Sequence, residues 1–128
     1  MITLYRFENN LHIAEQGECD CATALKTFEQ CYQDGLASYR SGEAAMVATT
    51  LGLSRSKADF IEVSCNGNNA VSVHSDRLFY PSALKKAFSS KHHFFIKGDK
   101  DKATEVIRDY FTLDREQFEA KYEAFLSR

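Results

Sequence analysis

The spacing of hydrophobic residues changes several times along this chain, and each change predicts a new element of secondary structure. Residues 2–7 are rich in β-branched and aromatic types, stop at the polar residues 8–10 and resume as an apolar stretch at 11–14. Because Asn tolerates the left-handed backbone of tight turns, the polar residues suit a turn between two strands. The start of the chain is therefore predicted to form a β-hairpin.

A helical spacing follows the hairpin. Apolar residues recur every three or four positions and would line one face of a helix: Ala22, Leu25, Phe28, Tyr32, Leu36 and Tyr39. The side chain of Asp20 or Thr23 can cap the first turn, and Gly42 can end the helix. This segment is predicted to be the longest helix.

The middle of the chain returns to strand-like spacing. Residues 45–53 are apolar and rich in Thr, and residues 59–65 alternate between apolar and polar. Residues 66–69, Asn-Gly-Asn-Asn, are a strong turn signal, and alternation resumes over residues 70–74. A second antiparallel hairpin is predicted here.

The last third is predicted to be mainly helical. Pro81 breaks the chain before a short helix over residues 82–88, and residues 93–97 predict a strand that ends at Gly98. The next helix carries the stripe Ala103, Val106, Ile107, Tyr110 and Phe111. A final helix opens with the capping-box spacing of residues 114–117 and carries the stripe Phe118, Tyr122, Phe125 and Leu126.

This order of elements predicts an α+β fold. We expect an antiparallel or mixed β-sheet with helices packed on one face, two of them at the C-terminal end. The chain has 128 residues, of which 44% are hydrophobic, and this is the size of a single globular domain spanning residues 1–128.

Compartment and cofactors follow from what the sequence lacks. No apolar run approaches the roughly 20 residues that span a bilayer, and the first residues lack the basic start and apolar stretch of a secretory signal. We therefore expect a cytoplasmic protein without membrane contact, whose four cysteines are reduced thiols. Cys19, Cys21 and Cys31 suggest zinc, but structural zinc sites use two short-spaced pairs, so no metal or other cofactor is expected.

Charge is distributed unevenly, although the formal net charge is only -2. Residues 1–44 contain seven acids and three bases, whereas residues 45–98 contain three acids and seven bases. The acidic first third can form a face for a basic partner. Its candidate contact residues are Glu15, Glu18, Asp20, Glu29 and Asp34. The alternative is that the acidic and basic segments neutralise each other within the folded domain.

The sequence carries no recognisable catalytic signature. It has no glycine-rich phosphate loop, paired-histidine metalloprotease motif or nucleophile elbow. Residues 73–77 contain the residue types of a hydrolase triad, but triads are assembled across a fold and not from neighbours. Lysines beside Phe94 and Phe95 resemble a nucleic-acid surface, yet a pI near 6.1 argues against a nucleic-acid partner.

A polar segment over residues 52–59 lies between two predicted strands, and we expect it to be an exposed loop. Loops on rigid scaffolds often carry binding contacts. Arg55, Lys57 and Asp59 are therefore further candidates for contact with a partner. A plain connector is the alternative.

Three segments carry a resemblance to a known class of proteins: residues 52–62 (Gly-Leu-Ser-Arg-Ser-Lys-Ala-Asp-Phe-Ile-Glu), 73–77 (Val-His-Ser-Asp-Arg) and 92–99 (His-His-Phe-Phe-Ile-Lys-Gly-Asp). They resemble small bacterial immunity proteins, which are encoded beside secreted polymorphic toxins of the contact-dependent or type VI kind. The resemblance covers the C-terminal two thirds of the chain. These families share no functional motif that transfers residue by residue.

The resemblance implies a non-enzymatic inhibitor that binds a cognate toxin protein and blocks its active site. An acidic N-terminal third and many tyrosines are compatible with such an interface. Two alternatives stay open. One is a small ligand-binding domain or enzyme with a His, Asp and Cys pocket that includes His74 and Asp76, and the other is a structural subunit that self-associates, for example as a homodimer. A His or Cys that lines a pocket and has a perturbed pKa would favour the enzyme, and a shallow surface with an acidic patch would favour inhibition.

Overall fold

A computed structural model describes residues 1–9, 12–41, 49–65, 70–75 and 93–127. Its strands are β1 (Thr3–Asn9), β2 (His12–Glu18), β3 (Thr50–Ser56), β4 (Asp59–Cys65), β5 (Val71–Ser75), β6 (His93–Gly98) and the short β7 (Leu126–Ser127). Its helices are α1 (Cys21–Ser41), which follows β2, and α2 (Lys100–Thr112) and α3 (Arg115–Tyr122), which follow β6. A single 3-10 turn (Glu123–Phe125) joins α3 to β7.

The described strands form one antiparallel sheet in the order β2-β1-β3-β4-β5-β6-β7. The register places Tyr5 opposite Gly52, Gly52 opposite Glu62, and Glu62 opposite His74. Side chains of directly opposed residues project from the same face of a sheet. These four residues therefore form one row across β1, β3, β4 and β5, and the row continues to Phe95 on β6.

The hydrophobic core lies between the other face of the sheet and the helices. Along β4 every second residue from Asp59 to Cys65 is buried, because those side chains point toward the helices. Helix α1 packs on β3 and β4, α2 packs on β5 and β6, and the two helices contact each other. They bury Ala24, Phe28, Cys31 and Tyr32 from α1, and Ala103, Val106, Ile107 and Tyr110 from α2.

Helix α1 approaches β4 so closely at Gly35 that a side chain would not fit. A Cβ atom at this position would lie 2.8 Å from the carbonyl oxygen of Cys65. Beside this contact, Arg6 Nη2 on β1 lies 2.5 Å from Asp34 Oδ2 on α1. The hydrogen bond from Arg6 holds the pKa of Asp34 below its usual range. An ion pair thus links β1 to α1 within the first third of the chain.

The C-terminal helices begin at side-chain caps. Asp99 accepts a hydrogen bond from the backbone N–H of Lys102, and Asp114 accepts one from Gln117, whose side chain accepts the Asp114 N–H in return. The predicted capping box is therefore confirmed. Helix α3 ends at Tyr122, so the predicted helical stripe is too long: Phe125 lies in the 3-10 turn and Leu126 in β7.

The predicted α+β class is confirmed, with an antiparallel sheet, helices on one face and two C-terminal helices. The N-terminal hairpin, the long helix, the strand pair over residues 59–65 and 71–75 and the strand at 93–98 are also confirmed. Asp20 caps α1, because its Oδ1 accepts the Thr23 N–H at 2.8 Å. Four predicted features lie outside the described residues: part of the strand at 45–53, the turn at 66–69, the short helix at 82–88 and the helix end at Gly42.

The expectation that residues 52–59 form an exposed loop is wrong. Residues 52–56 belong to β3, residue 59 opens β4, and Lys57 and Ala58 alone make the turn. Asp59 is only 6% exposed. The polar composition was misleading because alternation within the hairpin turns Arg55 and Asp59 toward α2, where they find internal partners.

Candidate functional site

The face of the sheet opposite the helices carries polar and aromatic side chains. We call it the open face and define it by Tyr5, Ser54, Phe60, Glu62, His74, Phe95 and Lys97, which the register and alternation of the strands place on one side. In the described part of the chain, the helices contact the sheet from the other side. Phe95 is 47% exposed, although most large hydrophobic residues of the described chain are buried.

A hollow of about 470 Å³ lies on the open face. Its lining includes the aromatic rings of Tyr5 and Phe60, the carboxylates of Glu15 and Glu62, and the side chains of Lys57 and His74. These residues come from β1, β2, β4, β5 and the turn after β3. The hollow is therefore a product of the sheet register and is not formed by any single segment.

The position of the Tyr5 ring depends on Gly52. A Cβ atom at residue 52 would overlap the ring of Tyr5, so the ring lies against the bare backbone of β3. From there the Tyr5 hydroxyl reaches across β3 and donates to Glu62 Oε2 on β4 at 3.0 Å. The absence of a side chain at Gly52 thus allows two strands that are not neighbours to be linked.

Glu62 is the centre of a small hydrogen-bond network. Its Oε2 accepts from Tyr5, and its Oε1 lies 3.1 Å from His74 Nε2. Because an ionised carboxylate only accepts hydrogen bonds, Nε2 carries the proton in this contact. The Glu62 side chain is 20% exposed and that of His74 is 41% exposed. Burial and the nearby Glu62 carboxylate raise the pKa of the Tyr5 hydroxyl above its ordinary value, so this hydroxyl stays a donor.

The hollow combines aromatic surface with hydrogen-bond acceptors. Glu15 and Glu62 offer carboxylate oxygens, and the His74 ring lies beside them in the lining. No cysteine lines this hollow within the described chain. This arrangement is suited to binding a group that donates hydrogen bonds.

The acids of the first third do not form one face. Glu15 lines the hollow, whereas Glu18 is exposed near the end of β2 and Asp20 caps α1. The other two acids pair with bases on neighbouring elements: Glu29 with Lys100 and Asp34 with Arg6. Two of the five candidate acids are therefore neutralised by ion pairs within the molecule. Replacing Asp20 with a base would remove a helix cap.

Arg55 and Asp59 are engaged inside the molecule. The Arg55 guanidinium lies 4.4 Å from the Tyr110 ring centroid, donates to the backbone carbonyls of Tyr110 and Leu113 and sits beside Asp59. Asp59 Oδ1 accepts the Tyr110 hydroxyl at 2.9 Å. Lys57, in contrast, is exposed at the turn and lines the hollow.

The cysteines lie away from the hollow. All four are described and carry free thiols, and Cys31 and Cys65 are buried in the core. Burial raises the pKa of Cys31 to about 11 and that of Cys65 to about 12. Among the residues with described positions, no group of three or more His, Cys, Asp or Glu side chains is arranged to hold a metal ion.

Sequence reasoning singled out Glu15, Lys57 and His74 but missed Tyr5, Phe60 and Glu62 as site residues. A signal was present, because an aromatic or charged residue occupies an outward position of β1, β4, β5 and β6: Tyr5, Glu62, His74 and Phe95. The neighbours of these residues across the sheet could not be predicted from the sequence. The register that aligns residue 5 with residues 52 and 62 depends on β1 pairing with β3, and β2 and α1 separate these two strands in the sequence.

Comparisons with known proteins add no relative. No protein-family model matches the chain, and searches of curated proteins and of solved structures gave no significant match. No helix within the described ranges is long and apolar enough to cross a membrane.

Proposed function

We propose that this chain is a protein-binding domain that neutralises a bacterial toxin by covering its active site, as immunity proteins do, and that it acts in the cytoplasm without catalysing a reaction. The observation that carries the proposal is the open face. It presents Phe95, the Tyr5 hollow and several charged groups on the rigid frame of an antiparallel sheet. Binding surfaces are strongest where aromatic anchors and a few charged groups are held by rigid elements.

The binding surface in this proposal differs from the acidic third that the sequence favoured. Glu29 and Asp34 have internal partners, so they contribute little charge to a contact with another protein. Glu15 and Lys57 remain as contact residues, because both are exposed and line the hollow. Lys97 and Phe95 extend the surface along β6.

The direct experiment pairs the chain with the protein encoded beside it. The neighbouring product would be expressed alone and together with this chain, and growth and copurification would be measured. Growth arrest that this chain relieves, together with a stoichiometric complex in size-exclusion chromatography, is the expected result. A neighbour that is harmless alone and does not bind would contradict the proposal, and a self-associated chain in the same experiment would favour the structural subunit.

A ligand-binding domain or enzyme is the second candidate, because His74 lies 3.1 Å from Glu62 in a hollow. A histidine oriented by a carboxylate is the arrangement that many general bases use. No cysteine stands in the lining that is described, and Asp76 lies outside the described residues. Turnover of a small substrate that is lost on His74→Gln substitution would favour this candidate over inhibition.

A further inference from the structure

We propose that the hollow between Tyr5 and Glu62 is a receptor for a guanidinium group, supplied by an arginine side chain of the bound partner. The identity of the partner rests on the function proposed above, whereas the chemistry of the hollow does not. The argument depends on three features of the open face: its acceptors, its aromatic walls and its balance of charge.

The hydrogen-bond acceptors of the hollow suit a ligand group that has hydrogen-bond donors and no acceptors. Glu62 is fixed by Tyr5 at 3.0 Å and by His74 at 3.1 Å, and each of its oxygens still has a lone pair to offer. Glu15 adds a second carboxylate, which is exposed. A guanidinium has five N–H donors and no acceptor, and it binds carboxylates through two parallel hydrogen bonds.

The aromatic walls favour a planar cation. Guanidinium groups stack on aromatic rings, and the hollow has Tyr5 and Phe60 in its lining. The Tyr5 ring is held in place by Gly52 on one side and by its hydrogen bond to Glu62, so little order has to be gained on binding. A volume of about 470 Å³ also leaves room for the aliphatic stem of the arginine.

The charge balance favours a cation over an anion. Among the lining residues that the structure describes, Lys57 is the one lysine or arginine, and it is exposed at a turn, whereas Glu15 and Glu62 are both carboxylates. An anionic ligand would have to approach Glu62, which Tyr5 and His74 hold in position. Lys57 can turn into solvent when a cation enters.

On the helix-covered side of the sheet, a tyrosine and a carboxylate already bind a guanidinium of the same chain. There the Arg55 guanidinium lies over the Tyr110 ring at 4.4 Å and beside the Asp59 carboxylate. The open face has the tyrosine and the carboxylates in a comparable combination, with Tyr5 bonded to Glu62 as Tyr110 is bonded to Asp59. No arginine stands among the lining residues with described positions, so a guanidinium is the component that a partner would supply.

The test uses a small ligand and the whole chain. Backbone amide NMR spectra would be titrated with N-acetyl-arginine amide, and N-acetyl-citrulline amide, which has nearly the same shape without the charge, serves as the matched ligand. We expect saturable shifts around Tyr5, Glu62 and His74 with a dissociation constant on the order of millimolar, as for a single side chain. Equal shifts with citrulline, or shifts that map elsewhere, would overturn the proposal.

Two variants test the carboxylates. Glu62→Gln and the exposed Glu15→Gln should each weaken arginine binding, with a loss of about tenfold for Glu62 because a charge-assisted hydrogen bond is removed. Glu18→Gln makes the same change at another exposed acid of β2 and should bind arginine like the original chain. Unchanged affinity in both Glu62→Gln and Glu15→Gln would overturn the proposal, and the Glu15 variant keeps the test valid if Glu62→Gln does not fold.

The outcomes separate this inference from the proposed function. If the neighbouring toxin binds but arginine amide does not, the guanidinium receptor is wrong and the inhibitor proposal stands. If arginine amide binds and no toxin is found, the receptor stands and the chain is a ligand-binding domain.

Discussion

The ring of Tyr5 on β1 lies against the backbone of Gly52 on β3, in the space that any larger residue at position 52 would occupy. Through this contact the Tyr5 hydroxyl reaches Glu62 on β4, one strand further along the sheet. Position 52 therefore controls both the packing of the open face and the geometry of the hollow.

A Gly52→Ala substitution should lower the free energy of unfolding by about 1–3 kcal/mol, because the added methyl group forces the Tyr5 ring from its position. Without that overlap, Ala in a strand would stabilise relative to Gly. Urea denaturation would measure the change. The control is the same substitution in a Tyr5→Ala background, where position 52 is no longer covered and Ala should cost nothing. An equal loss in both backgrounds would mean that the ring is not the cause.

The Asp59 side chain should be essential for stability and not for binding. Asp59→Ala removes the acceptor of Tyr110 and the carboxylate beside Arg55, so we expect a loss of about 2 kcal/mol or more. Lys57→Ala, two residues away in the same hairpin, should change stability by less than about 0.5 kcal/mol because its side chain is exposed. If the two variants unfold at the same denaturant concentration, the internal role of Asp59 is wrong.

The buried thiols predict a loss of stability at alkaline pH. The pKa of Cys31 is raised to about 11 and that of Cys65 to about 12, from an ordinary value of 9.0. Above pH 9 the unfolded chain releases thiol protons that the folded chain retains, so the free energy of unfolding falls as pH rises, and below pH 9 this effect disappears. Between pH 8 and 9.5 we expect a decrease of about 1–2 kcal/mol in total.

Cysteine substitution provides the control for that pH dependence. Cys31→Ala and Cys65→Ala should each be less stable at pH 8, because a buried side chain is shortened. Each should also show a weaker dependence on pH between 8 and 9.5, since one titrating group is gone. A pH dependence that survives both substitutions would assign the effect to other groups.

Much of the fold could be predicted because its elements follow local patterns. Alternation over residues 59–65 reflects one buried and one open face, and the capping box at Asp114 and Gln117 depends on residues three positions apart. The hairpin at residues 52–59 was misjudged for the opposite reason. Arg55 and Asp59 are polar but are held by Tyr110, which is distant in sequence, so no local pattern could show that they are internal.

The candidate site was harder to predict than the fold. The acids of the first third have different roles because two of them, on α1, pair with Lys100 of α2 and with Arg6 of β1. The hollow depends on the pairing of β1 with β3, and its residues Tyr5 and Glu62 are 57 positions apart. The sequence alone shows the residue types of such a site, but it does not show which of them lie close together in the fold.

The most direct test of the central claim, that the open face is the binding surface, compares two charge reversals. Isothermal titration calorimetry would measure the affinity of each variant for the proposed partner, the protein encoded beside this chain. Lys97 is exposed on the open face, and Lys26 is exposed on α1, which covers the other face. Lys97→Glu should weaken binding by about tenfold or more, because the reversal removes a favourable charge pair or introduces like charges at the interface. Lys26→Glu should leave the affinity unchanged. Weaker binding for Lys26→Glu with no change for Lys97→Glu would place the interface on the helices and contradict the claim.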